Sequence, residues 1–355
     1  MHPLTLLIKP AAGLCNLNCR YCFYRPVSAD RENLIMTYET VDLLIRKLAA
    51  FRPTSLTVMF QGGEPTLAGL EFYRYFVAAF RNNLRVPVSF AMQTNGLLLD
   101  DAFAAFFREN RFLLGVSLDG TGETNDRNRV DSDGNGTHDR VMQAVALLRR
   151  HRVEFNILSV VDNDSVKALG ETFRFFKENG LSYIQFIPCL GTDDHAALTV
   201  ENYALFLKNT FDLWYSYYIR EDYVSVRHID NYMGIFLGSP PENCAMCGVC
   251  GSYFTVEANG DLYPCDFYCD DAHRIGSLSD ENPFVINEKH RAFIEESKVI
   301  HSHCQGCRYH DICRGGCKAD RIDGFAENRY CAAYKEFFAY AAPRMSAIAR
   351  RIKDA

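Results

Sequence analysis

Fourteen cysteines in a chain of 355 residues, gathered in two groups, constrain this sequence more than any other feature. Cys15, Cys19 and Cys22 lie within eight residues near the amino terminus, Cys189 stands alone, and the other ten fall between Cys244 and Cys331. The stretch from Met1 to Gly13 has one lysine and a short apolar run that leads straight into the first group. It lacks the length and cleavage site of a secretion signal, so a first strand and a cytoplasmic location are expected. Disulfides rarely persist in a reducing cytoplasm, which makes metal ligation the expected use of these thiols.

The rest of the composition is that of an ordinary folded protein, with 48% hydrophobic and 23% charged residues. A net charge of -6 argues against the concentrated basic face that nucleic acid requires. No apolar run approaches the ~18 residues that span a bilayer, so no membrane partner is expected.

From Leu4 to Leu190, short β-rich runs alternate with longer amphipathic ones, the pattern of βα units around a parallel sheet. Strands are expected at Leu4–Lys9, Ser55–Phe60, Val88–Gln93, Phe112–Ser117, Glu154–Val161 and Tyr183–Ile187. Helices between them place Val41, Leu44, Ile45 and Leu48, and Phe72, Tyr75, Phe76 and Phe80, on apolar faces, with Thr37 and Ser165 as N-caps. Six units predict an incomplete (β/α)6 barrel of the TIM type. Chemistry in such folds sits at the carboxyl ends of the strands. There this sequence places Cys15 to Cys22, Gln61-Gly-Gly-Glu-Pro65, Thr94-Asn-Gly96 and Ser117-Leu-Asp-Gly120. Beyond Leu190 an aromatic helix around Asn202–Tyr218 is expected, and a closing helix over Tyr334–Ile352.

Cys15-x3-Cys19-x2-Cys22 offers three thiolates on one loop, enough to hold three corners of a cubane and leave one iron open. A structural zinc site needs a fourth ligand that the nearby sequence lacks, and a Cys19–Cys22 redox pair leaves Cys15 without a role. With Tyr21 before the last cysteine, the motif resembles the signature of radical S-adenosylmethionine enzymes. Gly62-Gly-Glu-Pro65 is similar to the loop that in that family lies near the methionine amino group. The resemblance implies an open iron that binds S-adenosylmethionine and a 5'-deoxyadenosyl radical that abstracts hydrogen from substrate. By position it implies Tyr24, Gly63, Ser117, Arg129 and Leu190 as S-adenosylmethionine contacts. A guanidinium at Arg129 suits a carboxylate, although Asp126, Arg127 and Arg129 also fit a solvated turn.

The second group, Cys265, Cys304-x2-Cys307-x5-Cys313-x3-Cys317 and Cys331, resembles the SPASM extension with two auxiliary 4Fe-4S clusters. The resemblance implies Cys244, Cys250, Cys265 and Cys317 for one and Cys304, Cys307, Cys313 and Cys331 for the other, three clusters in all. Zinc is the competing reading, and Cys247 leaves the register of the first set open. Cys189 and Cys269 read as buried free thiols, His301 and His303 as surface histidines. The resemblance divides the chain into a partial barrel at 1–190, a helical connection at 191–241, a SPASM domain at 242–335 and a helix at 336–355.

Longer stretches are similar to one subfamily, the anaerobic sulfatase-maturating enzymes: Leu6-Leu-Ile-Lys-Pro10, Gln61 to Glu71, Glu154-Phe-Asn-Ile157 and Tyr263-Pro-Cys-Asp-Phe-Tyr268. This implies oxidation of the cysteine or serine of a Cys/Ser-x-Pro-x-Arg motif to Cα-formylglycine in an unfolded sulfatase. An electron donor such as flavodoxin or ferredoxin is implied as partner. Asp266 matches the subfamily's proton acceptor, the alternative being a turn cap, and Gln61 is read as facing substrate. A ribosomal-peptide crosslinking enzyme of the same class is the rival reading, disfavoured because no additional peptide-recognition domain is apparent. A non-catalytic metal-binding protein is the rival from another class.

Overall fold

The computed structural model describes residues 2–24, 34–191, 195–322 and 327–354. In chain order the strands are β1 (Leu4–Ile8), β2 (Leu56–Phe60), β3 (Val88–Thr94), β4 (Leu113–Ser117), β5 (Glu154–Val161), β6 (Tyr183–Pro188), β7 (Ser225–Val226), β8 (Phe254–Val256), β9 (Asp261–Tyr263) and β10 (Gly276–Ser277). The six expected strands are all present, each within two residues of its expected ends. The α/β class is therefore as expected.

The chain forms two compact units, one of residues 1–118, 125–156 and 251–292, the other of 119–124, 157–250 and 293–355. In the first, β1, β2, β3 and β4 run parallel in order, with Leu4 opposite Leu56 and Leu56 opposite Val88. Four of the five β1 residues are buried, the near-continuous apolar run of a strand covered on both faces. On the other side β1 pairs in parallel with β8, and β9 and β10 continue antiparallel. The cysteine-rich stretch thus begins as an extension of the first sheet, a pairing that three-residue strands do not announce in sequence.

The core of this unit is aromatic. Phe60 on β2 meets Tyr73 and Phe76 of helix Leu70–Asn83 edge-on, with ring centroids 5.1 and 5.0 Å away. Phe112 stacks on Phe60 and Phe90 at 6.2 and 5.1 Å. Thr37 caps helix Tyr38–Phe51, accepting from Thr40 N at 3.2 Å, as expected. Ser165 does not cap the next helix. Its backbone N–H is taken by Asp162 Oδ1 at 2.7 Å and its hydroxyl bonds the Asp162 backbone, so a tight turn forms and the helix starts at Leu169 behind Ala168.

In the second unit β5, β6 and β7 are parallel neighbours, Ile157 facing Ile184 and Ile184 facing Val226. The aromatic helix spans Val200–Tyr218 and the closing helix Cys331–Lys353. The two pack through Phe211 on Phe337, centroids 6.3 Å apart, and an Arg344–Asp212 ion pair at 2.8 Å. Among the described residues no helix is long and apolar enough to cross a membrane.

Phe60 is fully buried among rings, so Phe60→Ala removes both transfer energy and packing. A loss of about 3–5 kcal/mol is expected, read as a lower urea midpoint under anaerobic conditions; an unchanged midpoint contradicts this packing.

Candidate active site

In the first unit, loops at the carboxyl ends of β1, β2 and β3 are tied together by one buried carboxylate. Glu64 is 1% exposed. It accepts from the Thr66 backbone and hydroxyl at 3.1 and 2.6 Å, from the Thr94 hydroxyl at 2.7 Å and from Asn95 N at 2.7 Å. Burial pushes its pKa up, against the pull of these donors. Asn95 extends the tie by donating to Asn16 at 2.8 Å, inside the loop that carries the first cysteines.

Two glycines let backbone approach backbone here. Gly62 has φ +123°, and a Cβ on it would meet Ala12 O at 2.9 Å. A Cβ on Gly63 would lie 2.0 Å from Leu14 O, so only glycine fits beside the cysteine loop. Gly63 N and Glu64 N then bond Ala12 O and Leu14 O at 2.9 and 2.7 Å.

Cys19 and Cys22 lie close enough to Cys15 to add to the cost of ionising it. Cys15 is pushed up to about 12, by burial first, with Glu64, Cys19 and Cys22 adding and the Leu17 N–H opposing. Crowded thiols on a glycine-cradled loop suit a cationic iron-sulfur centre, which would relieve that repulsion. Asn18 N and Arg20 N bond Val130 O and Asn128 O, bringing up the segment with Arg129. Arg129, 7% exposed, puts Nη1 3.9 Å from Cys19 Sγ and its guanidinium over Tyr21 at 5.7 Å. That buried placement rules out the solvated turn. Ser117 ends β4 and is also buried. Leu190 lies half-buried in the second unit, just after β6.

Asp266 follows β9 and is 6% exposed, so it is no surface turn cap. Lys9 Nζ, at the end of β1, lies 2.6 Å from its Oδ1, and Gln61 Nε2, at the end of β2, donates to its Oδ2 at 2.9 Å. Lys9 is itself fully buried, 3.6 Å over the Tyr24 ring and 3.9 Å from Glu257. Tyr24 donates to Glu257 at 2.6 Å. Burial works against charge on Lys9, but Asp266, then Cys269 and Glu257, carry its pKa above the ordinary lysine value. A cation therefore stands beside Asp266. Neither Lys9 nor Glu257 belongs to a cysteine or glycine motif of the sequence. The available signal was a lysine inside an otherwise apolar strand.

The other cysteines divide by what their sulfurs do. Cys265, in the first unit, lies 3.4 Å from the Tyr253 hydroxyl. In the second unit Cys244 is raised by burial and then by Cys250 and Cys247. Cys313 is pushed up to about 11 by burial, with Cys304 and Cys307 adding, and Cys331 to about 12 by burial and Glu327, with Cys313 a smaller contributor. Cys304, Cys307 and Cys331 thus lie within electrostatic reach of Cys313. By contrast, Cys189, Cys247 and Cys269 each direct a thiol proton at backbone carbonyls, of Ala196 at 3.9 Å, Asn243 at 3.5 Å and Cys265 at 3.5 Å. These are the three that sequence left unassigned. His301, His303 and Glu327 bring ligand atoms within 4.8 Å of one another.

A model of the Radical SAM superfamily matches residues 11–176. The chain is 39% identical to the cysteine-type anaerobic sulfatase-maturating enzyme of Clostridium perfringens strain 13, over 99% of this chain and 100% of that protein. It is 30% identical to the serine-type enzyme of Klebsiella aerogenes, over 95% of this chain and 84% of that one. Among solved structures, native anSMEcpe with bound AdoMet and Cp18Cys peptide superposes with a TM-score of 0.93 at 37% identity, covering 99% of each chain. Streptococcus suis SuiB bound to precursor peptide SuiA shares the fold, with a TM-score of 0.67 at 17% identity over 92% of this chain and 75% of that one.

Lys9→Met leaves two buried carboxylates without their cation. The expected loss is about 3–5 kcal/mol by chemical denaturation, partly recovered in Lys9→Met/Asp266→Asn. A double variant no more stable than the single one would show that the pair is not the source of the loss.

Proposed function

The chain belongs to the anaerobic sulfatase-maturating enzymes of the radical SAM superfamily, and on that premise we propose that it oxidises a cysteine in an unfolded sulfatase, with Asp266 as the base. The activity of the family is conversion of the target residue in a Cys/Ser-x-Pro-x-Arg motif to Cα-formylglycine. Cysteine is favoured over serine by one observation, the 39% identity over essentially all of both chains to a cysteine-type enzyme, against 30% to a serine-type one.

The family uses S-adenosylmethionine and an iron-sulfur cluster. In our reading Cys15, Cys19 and Cys22 hold the first cluster, Cys244, Cys250, Cys265 and Cys317 a second, and Cys304, Cys307, Cys313 and Cys331 a third. The engaged S–H of Cys247 supports Cys244 and Cys250 as the ligands. Bound together, these groups supply a 5'-deoxyadenosyl radical that takes a hydrogen atom from the substrate methylene, and an acceptor for the electron released.

The chain's own residues do the rest. Arg129, placed by the bonds of Arg20 and Asn18 to its segment, offers a guanidinium to the S-adenosylmethionine carboxylate, with Tyr24, Gly63, Ser117 and Leu190 completing the contacts. Asp266 receives the thiol proton. Lys9 at 2.6 Å holds one of its oxygens and Gln61 at 2.9 Å the other, so the carboxylate is oriented before substrate arrives. Loss of one hydrogen atom, one proton and one electron turns the side chain into a thioaldehyde. Water then hydrolyses it to the aldehyde, releasing hydrogen sulfide. A flavodoxin or ferredoxin is the proposed reductant.

The decisive assay incubates the reduced, reconstituted enzyme with Cys-x-Pro-x-Arg and Ser-x-Pro-x-Arg peptides and measures aldehyde by mass. Aldehyde from the cysteine peptide is expected, and deoxyadenosine without aldehyde from either peptide overturns the reading. Asp266→Asn is expected to keep S-adenosylmethionine cleavage while aldehyde formation falls by about 10²–10⁴-fold. Equal aldehyde yields would remove Asp266 from the reaction.

A further inference from the structure

We propose that the Tyr253 hydroxyl tunes the auxiliary centre held by Cys265 while fixing the backbone of the neighbouring base. The phenolic oxygen lies 3.4 Å from Cys265 Sγ and accepts from Asp266 N at 3.4 Å. One hydroxyl thus touches both residues of the Cys265-Asp266 dipeptide. All three groups belong to the same compact unit. This inference rests on the reading of Cys265 as a cluster ligand.

The direction of the bond follows from the chemistry of a ligand sulfur. A cysteine bound to iron carries no proton, so in the loaded enzyme the O–H of Tyr253 is the donor and the sulfur accepts. The oxygen keeps its lone pairs for the Asp266 N–H. A donor to a ligand sulfur draws electron density from the cluster and stabilises its reduced, more negative form. The reduction potential rises, which favours uptake of the electron that leaves the substrate.

The second contact adds position. Asp266 is held at its side chain by Lys9 and Gln61 and at its backbone by Tyr253. The carboxylate that takes the proton and the sulfur that leads to the electron acceptor therefore share one support. Tyr253 is a positioning residue, acting through Cys265 and Asp266 rather than on the substrate.

The test is a redox titration of the reconstituted holoenzyme followed by electron paramagnetic resonance, comparing wild type with Tyr253→Phe and Tyr253→Gln. In Tyr253→Phe one auxiliary potential is expected to fall by roughly a tenfold change in the reduction equilibrium, about 59 mV for one electron. The other two potentials stay in place. Tyr253→Gln, which keeps an N–H donor, is expected to recover part of the shift. An unchanged potential in a fully loaded, aldehyde-forming Phe variant overturns the role of the hydroxyl alone. A wild-type protein that assembles only one cluster overturns both this inference and the cluster assignment behind it. Should the Phe variant load poorly, wild type in H2O and D2O decides the matter. An exchangeable proton coupled to the reduced auxiliary centre supports the bond, and its absence overturns it.

Discussion

A single buried carboxylate, Glu64, organises the face on which the chemistry takes place. It sits in the loop after β2, and two of its four donors are the Thr94 hydroxyl at the end of β3 and the Asn95 backbone just after it, the other two coming from Thr66 beside it. Desolvating that side chain is costly unless every donor is present, so the loops hold one arrangement or forfeit the bonds. The cysteine loop is drawn into the same arrangement by Asn95 on Asn16 and by the backbone bonds that Gly63 and Glu64 make to Ala12 and Leu14. The loop that carries three thiols is thus placed by bonds that centre on one buried carboxylate.

The proposed base is held by a different principle. Asp266 comes from a region more than 200 residues away from Lys9 and Gln61, and reaches them because β8 joins the free edge of β1. Lys9 lies fully buried against the Tyr24 ring and two carboxylates, an environment in which an ammonium persists only because its partners are anionic. Cation and carboxylates depend on each other, and the site loses its geometry if one is removed.

The parts legible in sequence were those with local signatures. Alternation of apolar runs located six strands, and Thr37 announced its helix because its hydroxyl has only the helix to serve. Ser165 carried the same signal, but its hydroxyl is spent on the backbone of Asp162, accepting from the N–H and donating to the carbonyl. The cysteine motifs and the Asp266 stretch carried the resemblance to the family. Lys9, Glu257 and Tyr253 were not legible, because their meaning lies in contacts across the fold: nothing near Lys9 in the chain says that it will meet Asp266, and Tyr253 is one of 19 tyrosines. The join of β8 to β1 was hidden by brevity, since three residues hold no period.

The thiols of Cys189, Cys247 and Cys269 donate hydrogen bonds to main-chain carbonyls. In the assignment proposed above, 11 of the 14 cysteines take iron and sulfide and these three do not. A sulfhydryl already occupied with a carbonyl, and in the case of Cys189 and Cys269 hidden from solvent, is a slow competitor for an incoming metal. Under that assignment the carbonyls that engage the three surplus sulfhydryls would steer iron toward the other eleven, which makes main-chain oxygens part of the loading instructions.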